Sequence, residues 1–175
     1  LQGYYCGSCW AFTTTAALES HYALKYDLDV SLSEQNLVDC SRNEDLHGCA
    51  GGNSASAMDY IYRNDGIDTD QSYPYEGQDS YCRFSQDSIG ATDYGYVRLR
   101  SGDEHALKEA VATIGPIAVA FDSRDGDFQH YNGEGVYNSP YCYSDVWHLD
   151  HTLLVIGYGN DPEYGDDGDY WLVKN

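Results

Sequence analysis

Cys6-Gly7-Ser8-Cys9-Trp10-Ala11-Phe12 decides the reading of this chain, because it sets two cysteines three residues apart where an apolar helix begins. A helix start gathers N–H groups without intrahelical partners and the positive end of the helix dipole, and both favour thiolate over thiol. Cys9 is thereby a candidate nucleophile. From Trp10 to Lys25 apolar residues recur at helical spacing through Ala17, Leu18 and Leu24. The pattern ends in Tyr26-Asp27-Leu28-Asp29, which predicts a buried helix. The residues alone leave three roles open for the Cys6/Cys9 pair: attack by Cys9, structural disulfides, or a thioredoxin-type redox couple. The last calls for an early βαβ context that this sequence lacks.

Composition bounds the possibilities. At 175 residues, 42% apolar and 14% aromatic, the chain has ample material for a core, arranged as one compact unit or two small lobes. Eighteen tyrosines against four phenylalanines predict packing in which buried hydroxyls need partners. A formal charge of −20 argues against nucleic acid or an anionic membrane as partner. Self-repulsion of that size falls as carboxylates protonate, so an acidic compartment is physically compatible. No stretch approaches the roughly 20 apolar residues of a membrane span, and no signal peptide opens the chain. Six cysteines, without the paired Cys-x-x-Cys spacing of a zinc ribbon, point to disulfides in an oxidising compartment; neither metal nor cofactor is expected. Both ends, Leu1-Gln2-Gly3 and Trp171-Leu172-Val173-Lys174-Asn175, fall mid-pattern, as in a partial sequence.

Along the chain, Ser31 and Glu34 have capping-box spacing, with Ser33 an alternative cap, ahead of a short helix toward Cys40. A third helix spans about 54–63 before the stop Asn64-Asp65-Gly66. Residues 68–93 read as irregular chain needing a staple, which Cys82 can supply. Ser101-Gly102-Asp103-Glu104 is another capping box, leading a helix through Leu107, Val111 and Ile114 that Gly115-Pro116 ends. Residues 117–121 read as a strand, and 149–158 with 170–173 as a hairpin joined by an acidic connection. The expectation is an α+β fold of two lobes: 1–90 helix-rich and carrying the nucleophile, 91–175 β-rich, with a binding cleft between them.

Cys6 to Trp10 matches the Cys-Gly-Ser/Ala-Cys-Trp/Tyr signature of papain-like peptidases. Further motifs follow in order: Leu32-Ser33-Glu34-Gln35-Asn36-Leu37-Val38-Asp39-Cys40, Gly48-Cys49-Ala50-Gly51-Gly52, Ser72-Tyr73-Pro74-Tyr75-Glu76, Leu149-Asp150-His151, Gly157-Tyr158-Gly159 and Tyr170-Trp171-Leu172-Val173-Lys174-Asn175. On these the chain resembles the papain family of cysteine peptidases, in wording closest to the cathepsin L branch, along its whole length. The resemblance implies a papain-like two-lobe fold, with Cys9 as nucleophile, His151 as base and Asn175 orienting that base. Disulfides Cys6–Cys49 and Cys40–Cys82 are implied in the same way, as is a partner for Cys142 beyond Asn175.

His151 lies 142 residues after Cys9, within the span of about 130 to 150 that accompanies this signature. His148 is its nearest rival, whereas His21, His47, His105 and His130 have no motif that would aim a ring at Cys9. Gln2 is expected to complete an oxyanion hole with the backbone N–H of Cys9. Here the sequence departs from the family: Tyr4 and Tyr5 stand between Gly3 and Cys6 where the usual pattern has one residue. Gly51 and Gly52 match glycines that bind an extended peptide backbone, and Asn53, Ser54, Ala120 and Leu149 match the main specificity pocket. Asn53 and Ser54 are more polar than is common there, and Thr152 replaces a small residue on the leaving-group side.

The function expected is a cysteine endopeptidase acting through a thioester intermediate, at acidic pH, in a lysosomal or secreted setting. Its expected partners are protein or peptide substrates and, by resemblance, a propeptide or cystatin-type inhibitors; a monomer is expected. The alternative is a binding or storage protein on the same fold, its oxyanion loop disrupted by the extra tyrosine.

Overall fold

The structure is a computed structural model that describes residues 6–163 and 168–175. Gln2, Tyr4 and Tyr5 therefore lie outside the described residues, as does the middle of the acidic connection before Gly168. The chain divides into two compact units, residues 1–98 and 99–175.

In the first unit, α1 (Cys9–Tyr26), α2 (Glu34–Cys40) and α3 (Ser54–Arg63) enclose a core of Trp10, Leu32, Leu37, Val38, Leu46, Ala57, Ile61 and Ile67. The first half of α1 is buried, through Leu18, as expected, whereas its last turns are open to solvent, Leu24 being 65% exposed. Its buried hydroxyls find partners: Thr14 Oγ1 donates to Trp10 O at 2.7 Å and Thr15 Oγ1 to Glu34 Oε1 at 2.8 Å. That bond occupies Glu34, and the cap of α2 is Ser33, whose Oγ accepts from Asn36 N at 2.9 Å. Ser31, two residues further from the helix, is not the cap. The stop after α3 uses left-handed backbone at Asp65 (φ 57°) and Gly66 (φ 149°).

The segment read as irregular contains two short strands, β1 (Ile67–Asp68) and β2 (Ile89–Ala91), paired antiparallel with Ile67 opposite Ala91. Strands of two and three residues are too short to show an alternating pattern in sequence. Between them the chain is held by buried polar groups. The carboxylate of Asp39 accepts from Gln35 Nε2 (2.9 Å), Tyr73 Oη (2.7 Å) and Ser80 N (2.8 Å). Gln35 Oε1 accepts from Glu76 N at 2.8 Å and Gly77 N at 3.2 Å. Burial, with the hydroxyl's bond to Asp39, pushes the Tyr73 phenol up to about 12. The Cys40–Cys82 disulfide closes the same loop.

The second unit contains α4 (Glu104–Thr113), β3 (Ile117–Phe121), α5 (Gly126–His130), β4 (His151–Asn160) and β5 (Asp169–Lys174). Its sheet runs β3-β4-β5, with antiparallel neighbours throughout. Asp103, not Ser101, caps α4: it immediately precedes the helix, and its Oδ1 accepts from Ala106 N at 2.9 Å. Ile114, read as the last apolar residue of this helix, is its C-cap and 61% exposed. The short α5 has too few turns to show a periodic apolar face. After β3, buried Asp122 binds Arg124 Nε at 2.9 Å and Tyr143 N at 3.1 Å, and its bond to Arg124 lowers its carboxyl to about 2. Cys142 Sγ is 3.8 Å from Asp122 O, and burial raises its thiol pKa.

Replacing Cys40 and Cys82 together by alanine is expected to lower stability by about 2–5 kcal/mol, read as a lower urea midpoint. For Asp122, the folded-state pKa lies below the ordinary one, so its stabilisation is complete above about pH 4 and lost as pH falls toward 2. Melting curves of Asp122→Asn between pH 5 and 2 should accordingly show a shallower acid decline than those of the unmodified protein.

Candidate active site

The start of α1 is fixed by what surrounds Trp10. Trp10 is fully buried and its Nε1 donates to Gly48 O at 3.2 Å. The Cys6–Cys49 disulfide and the bond from Gly7 N to Cys49 O (2.9 Å) tie the approach to α1 onto the same turn. These restraints set Cys9 as the first residue of an 18-residue helix, half-buried and part of neither disulfide. Ser8, the N-cap residue, is fully buried. Its Oγ lies 2.6 Å from Tyr75 Oη, and the Tyr75 ring meets Phe12 edge-on at 5.0 Å. No local motif signals a role for Ser8 or Tyr75, although Tyr75 lies within Ser72-Tyr73-Pro74-Tyr75-Glu76.

Gly51 has φ 117° and open space where a side chain would start. A Cβ on Gly52 would lie 2.8 Å from the Trp10 ring and 2.9 Å from Leu46. That contact is one physical reason for glycine there. Asn53 Oδ1 accepts from Ser56 N at 2.8 Å as the cap of α3, and Ser54 Oγ donates to Trp10 O at 3.3 Å. The polarity of these two candidate pocket residues thus has a local use at the start of α3.

In the second unit, His151 opens β4 opposite Phe121, and Asn175 directly follows β5. The β4–β5 register, with Leu154 opposite Lys174, brings the two ends together: His151 Nε2 lies 2.7 Å from Asn175 Oδ1. With Nε2–H donating to that oxygen, Nδ1 is the nitrogen left to carry or release a proton. Phe128 of α5 stands with its ring centroid 6.4 Å from that of His151. His148 is engaged differently, with Nδ1 2.6 Å from Asp145 Oδ2 and its ring stacked on Tyr143 at 4.4 Å. His130 Nδ1 lies 2.7 Å from Gly126 O. Ala120 is an exposed residue of β3 opposite Thr152, and Leu149 is half-buried two residues before β4. Among the described residues, no group of three or more His, Cys, Asp or Glu could hold a metal, and no helix is long and apolar enough to cross a membrane.

Gly52→Ala, which drives a methyl into the Trp10 ring, is expected to cost about 1–3 kcal/mol, measured by denaturant unfolding.

A family model described as "Papain family cysteine protease" matches residues 2–175. The chain is 55% identical to "Cathepsin L" of Sarcophaga peregrina over 98% of its own length and 49% of that protein's. It is 49% identical to "Digestive cysteine proteinase 2" of Homarus americanus, over 97% of this chain and 50% of that one. Among solved structures, digestive procathepsin L2 proteinase from Tenebrio molitor larval midgut superposes with a TM-score of 0.87 at 45% identity, covering 97% of this chain and 51% of the other. The chain spans about half the length of the curated relatives it matches. With helices and antiparallel sheets in a single chain, its fold is α+β and papain-like. The chain belongs to the papain family of cysteine proteases.

Proposed function

We propose that this chain carries the catalytic residues of a cysteine endopeptidase: Cys9 as nucleophile from the first unit, His151 and Asn175 as base and orienting group from the second. The observation that carries the reading is the 2.7 Å bond between His151 Nε2 and Asn175 Oδ1, which fixes one ring nitrogen and leaves Nδ1 to exchange a proton. Cys9 at the start of α1, outside both disulfides, supports the other half.

In this mechanism Cys9 passes its proton to His151 Nδ1, and the thiolate attacks the carbonyl carbon of the scissile peptide bond. As the C–N bond breaks, the imidazolium gives its proton to the leaving amine, and the acyl group remains as a thioester on Cys9 Sγ. Water, deprotonated by the same ring, then attacks the thioester and releases the carboxylic acid and the thiol. An amide suits the orienting position because it accepts from the ring N–H without adding a negative charge, so the imidazolium is held but not over-stabilised. Gln2 is assigned, with the backbone N–H of Cys9, to the developing oxyanion.

Substrates are extended peptides bound along Gly51 and Gly52, with Asn53, Ser54, Ala120 and Leu149 meeting the side chain that precedes the cleaved residue. The open face of Gly51 is consistent with close approach of a peptide backbone. Relatives named cathepsin L and digestive cysteine proteinase support a lysosomal or secreted digestive setting, and activity at acidic pH belongs to the same proposal. Neighbours named procathepsin support a propeptide in the whole protein, and cystatin-type inhibitors and a monomeric state complete the reading.

Dipeptidyl fluorogenic amides measure the activity in the intact protein. Cys9→Ala should abolish turnover, and Asn175→Ala should lower kcat by about 10- to 100-fold through a misaligned imidazole. Turnover that survives Cys9→Ala overturns the assignment.

A further inference from the structure

Ser8 stands at the N-cap of α1, yet its side chain caps nothing. A serine there ordinarily has extended backbone and turns Oγ onto an N–H of the first turn. Ser8 instead has φ −100° and ψ 16°, and its carbonyl accepts from Ala11 N (2.9 Å) and Phe12 N (3.2 Å). Its hydroxyl points away, 2.6 Å from Tyr75 Oη, in a fully buried position.

Tyr75 is itself held firmly. Its ring packs edge-on against Phe12, and the next two residues donate their N–H groups to buried Gln35 Oε1. Gln35 in turn donates to Asp39, which also binds Tyr73. The hydroxyl that meets Ser8 thus comes from a segment braced at several points.

We propose that Tyr75 is a positioning residue for Cys9: by holding the Ser8 hydroxyl off the N-terminus of α1, it reserves the positive end of that helix for the Cys9 sulfur. This rests on the reading of Cys9 as nucleophile. The physical logic is competition for donors. An oxygen from Ser8 on the first turn would satisfy one N–H and cancel part of the partial positive charge that favours thiolate. The first turn of α1 carries no acidic side chain to do the same. The helix end is thus one influence on the thiol, and the Ser8–Tyr75 bond keeps it from being shared with the Ser8 oxygen. Without the Tyr75 hydroxyl, buried Ser8 Oγ is left without its partner, and turning onto the helix N–H groups restores a hydrogen bond.

The test follows the pH dependence of iodoacetamide alkylation of Cys9 in the intact protein, quantified by mass on the Cys9 peptide so that Cys142 is not counted. Four proteins are compared: unmodified, Tyr75→Phe, Ser8→Ala and the double variant, each checked for a folded circular dichroism spectrum. Tyr75→Phe is expected to raise the apparent pKa by about half a unit to one unit and to lower kcat more than it changes KM. Ser8→Ala removes the oxygen that would cap, so it should leave the profile in place, and the double variant should match Ser8→Ala. That reversal separates the proposal from a general loosening, which would persist in the double variant. An unshifted profile in Tyr75→Phe, or a double variant as shifted as Tyr75→Phe, overturns the role of Tyr75 alone. An unmodified protein whose Cys9 alkylates like an ordinary thiol overturns the nucleophile reading and this one with it.

Discussion

The burial of Trp10 is the constraint on which the first unit turns. One indole side chain meets Gly52, donates to Gly48 O, and has its own backbone carbonyl bound by Thr14 and Ser54. Because Trp10 directly follows Cys9, every contact that fixes the ring also fixes the helix start that carries the thiol. Burial of so large a side chain is worth several kcal/mol by area, of the order of a whole domain's net stability. Moving α1 is therefore tied to opening the core. The Cys6–Cys49 disulfide adds a covalent tie at the same turn.

A different device positions the imidazole. In the second unit strand register places His151, with the half-buried Phe128 ring 6.4 Å away. The β4–β5 ladder sets Leu154 against Lys174, so the first residue of β4 and the residue following β5 meet, and a side-chain bond of 2.7 Å closes the pair. A one-residue slip would turn every side chain of β5 to the other face and break the contact.

Much of this is legible in the residues, for reasons that differ from place to place. The helix at 54–63 can be read because its stop, Asn64-Asp65-Gly66, needs left-handed backbone. The hairpin of β4 and β5 can be read because its apolar runs have strand length and branched side chains. What escapes reading is short or depends on partners far away. β1 and β2 have no period, α5 has barely more than one turn, and Ser33 rather than Ser31 is the cap because α2 begins only at Glu34. The Ser8–Tyr75 bond joins residues 67 apart, and nothing in either local sequence signals it. Within the candidate site the residue types were readable from motifs, whereas the second layer that holds them had to be seen in space.

If Cys9 carries the acyl group, as proposed, trapping that intermediate reveals it most directly. Mixing the intact protein with a slowly deacylated peptidyl ester, quenching in acid and mapping the added mass should find the acyl group on the peptide containing Cys9 and on no other. An acyl group mapped to Cys142 or to a serine, or steady turnover with no acyl-protein at any time point, would contradict the account.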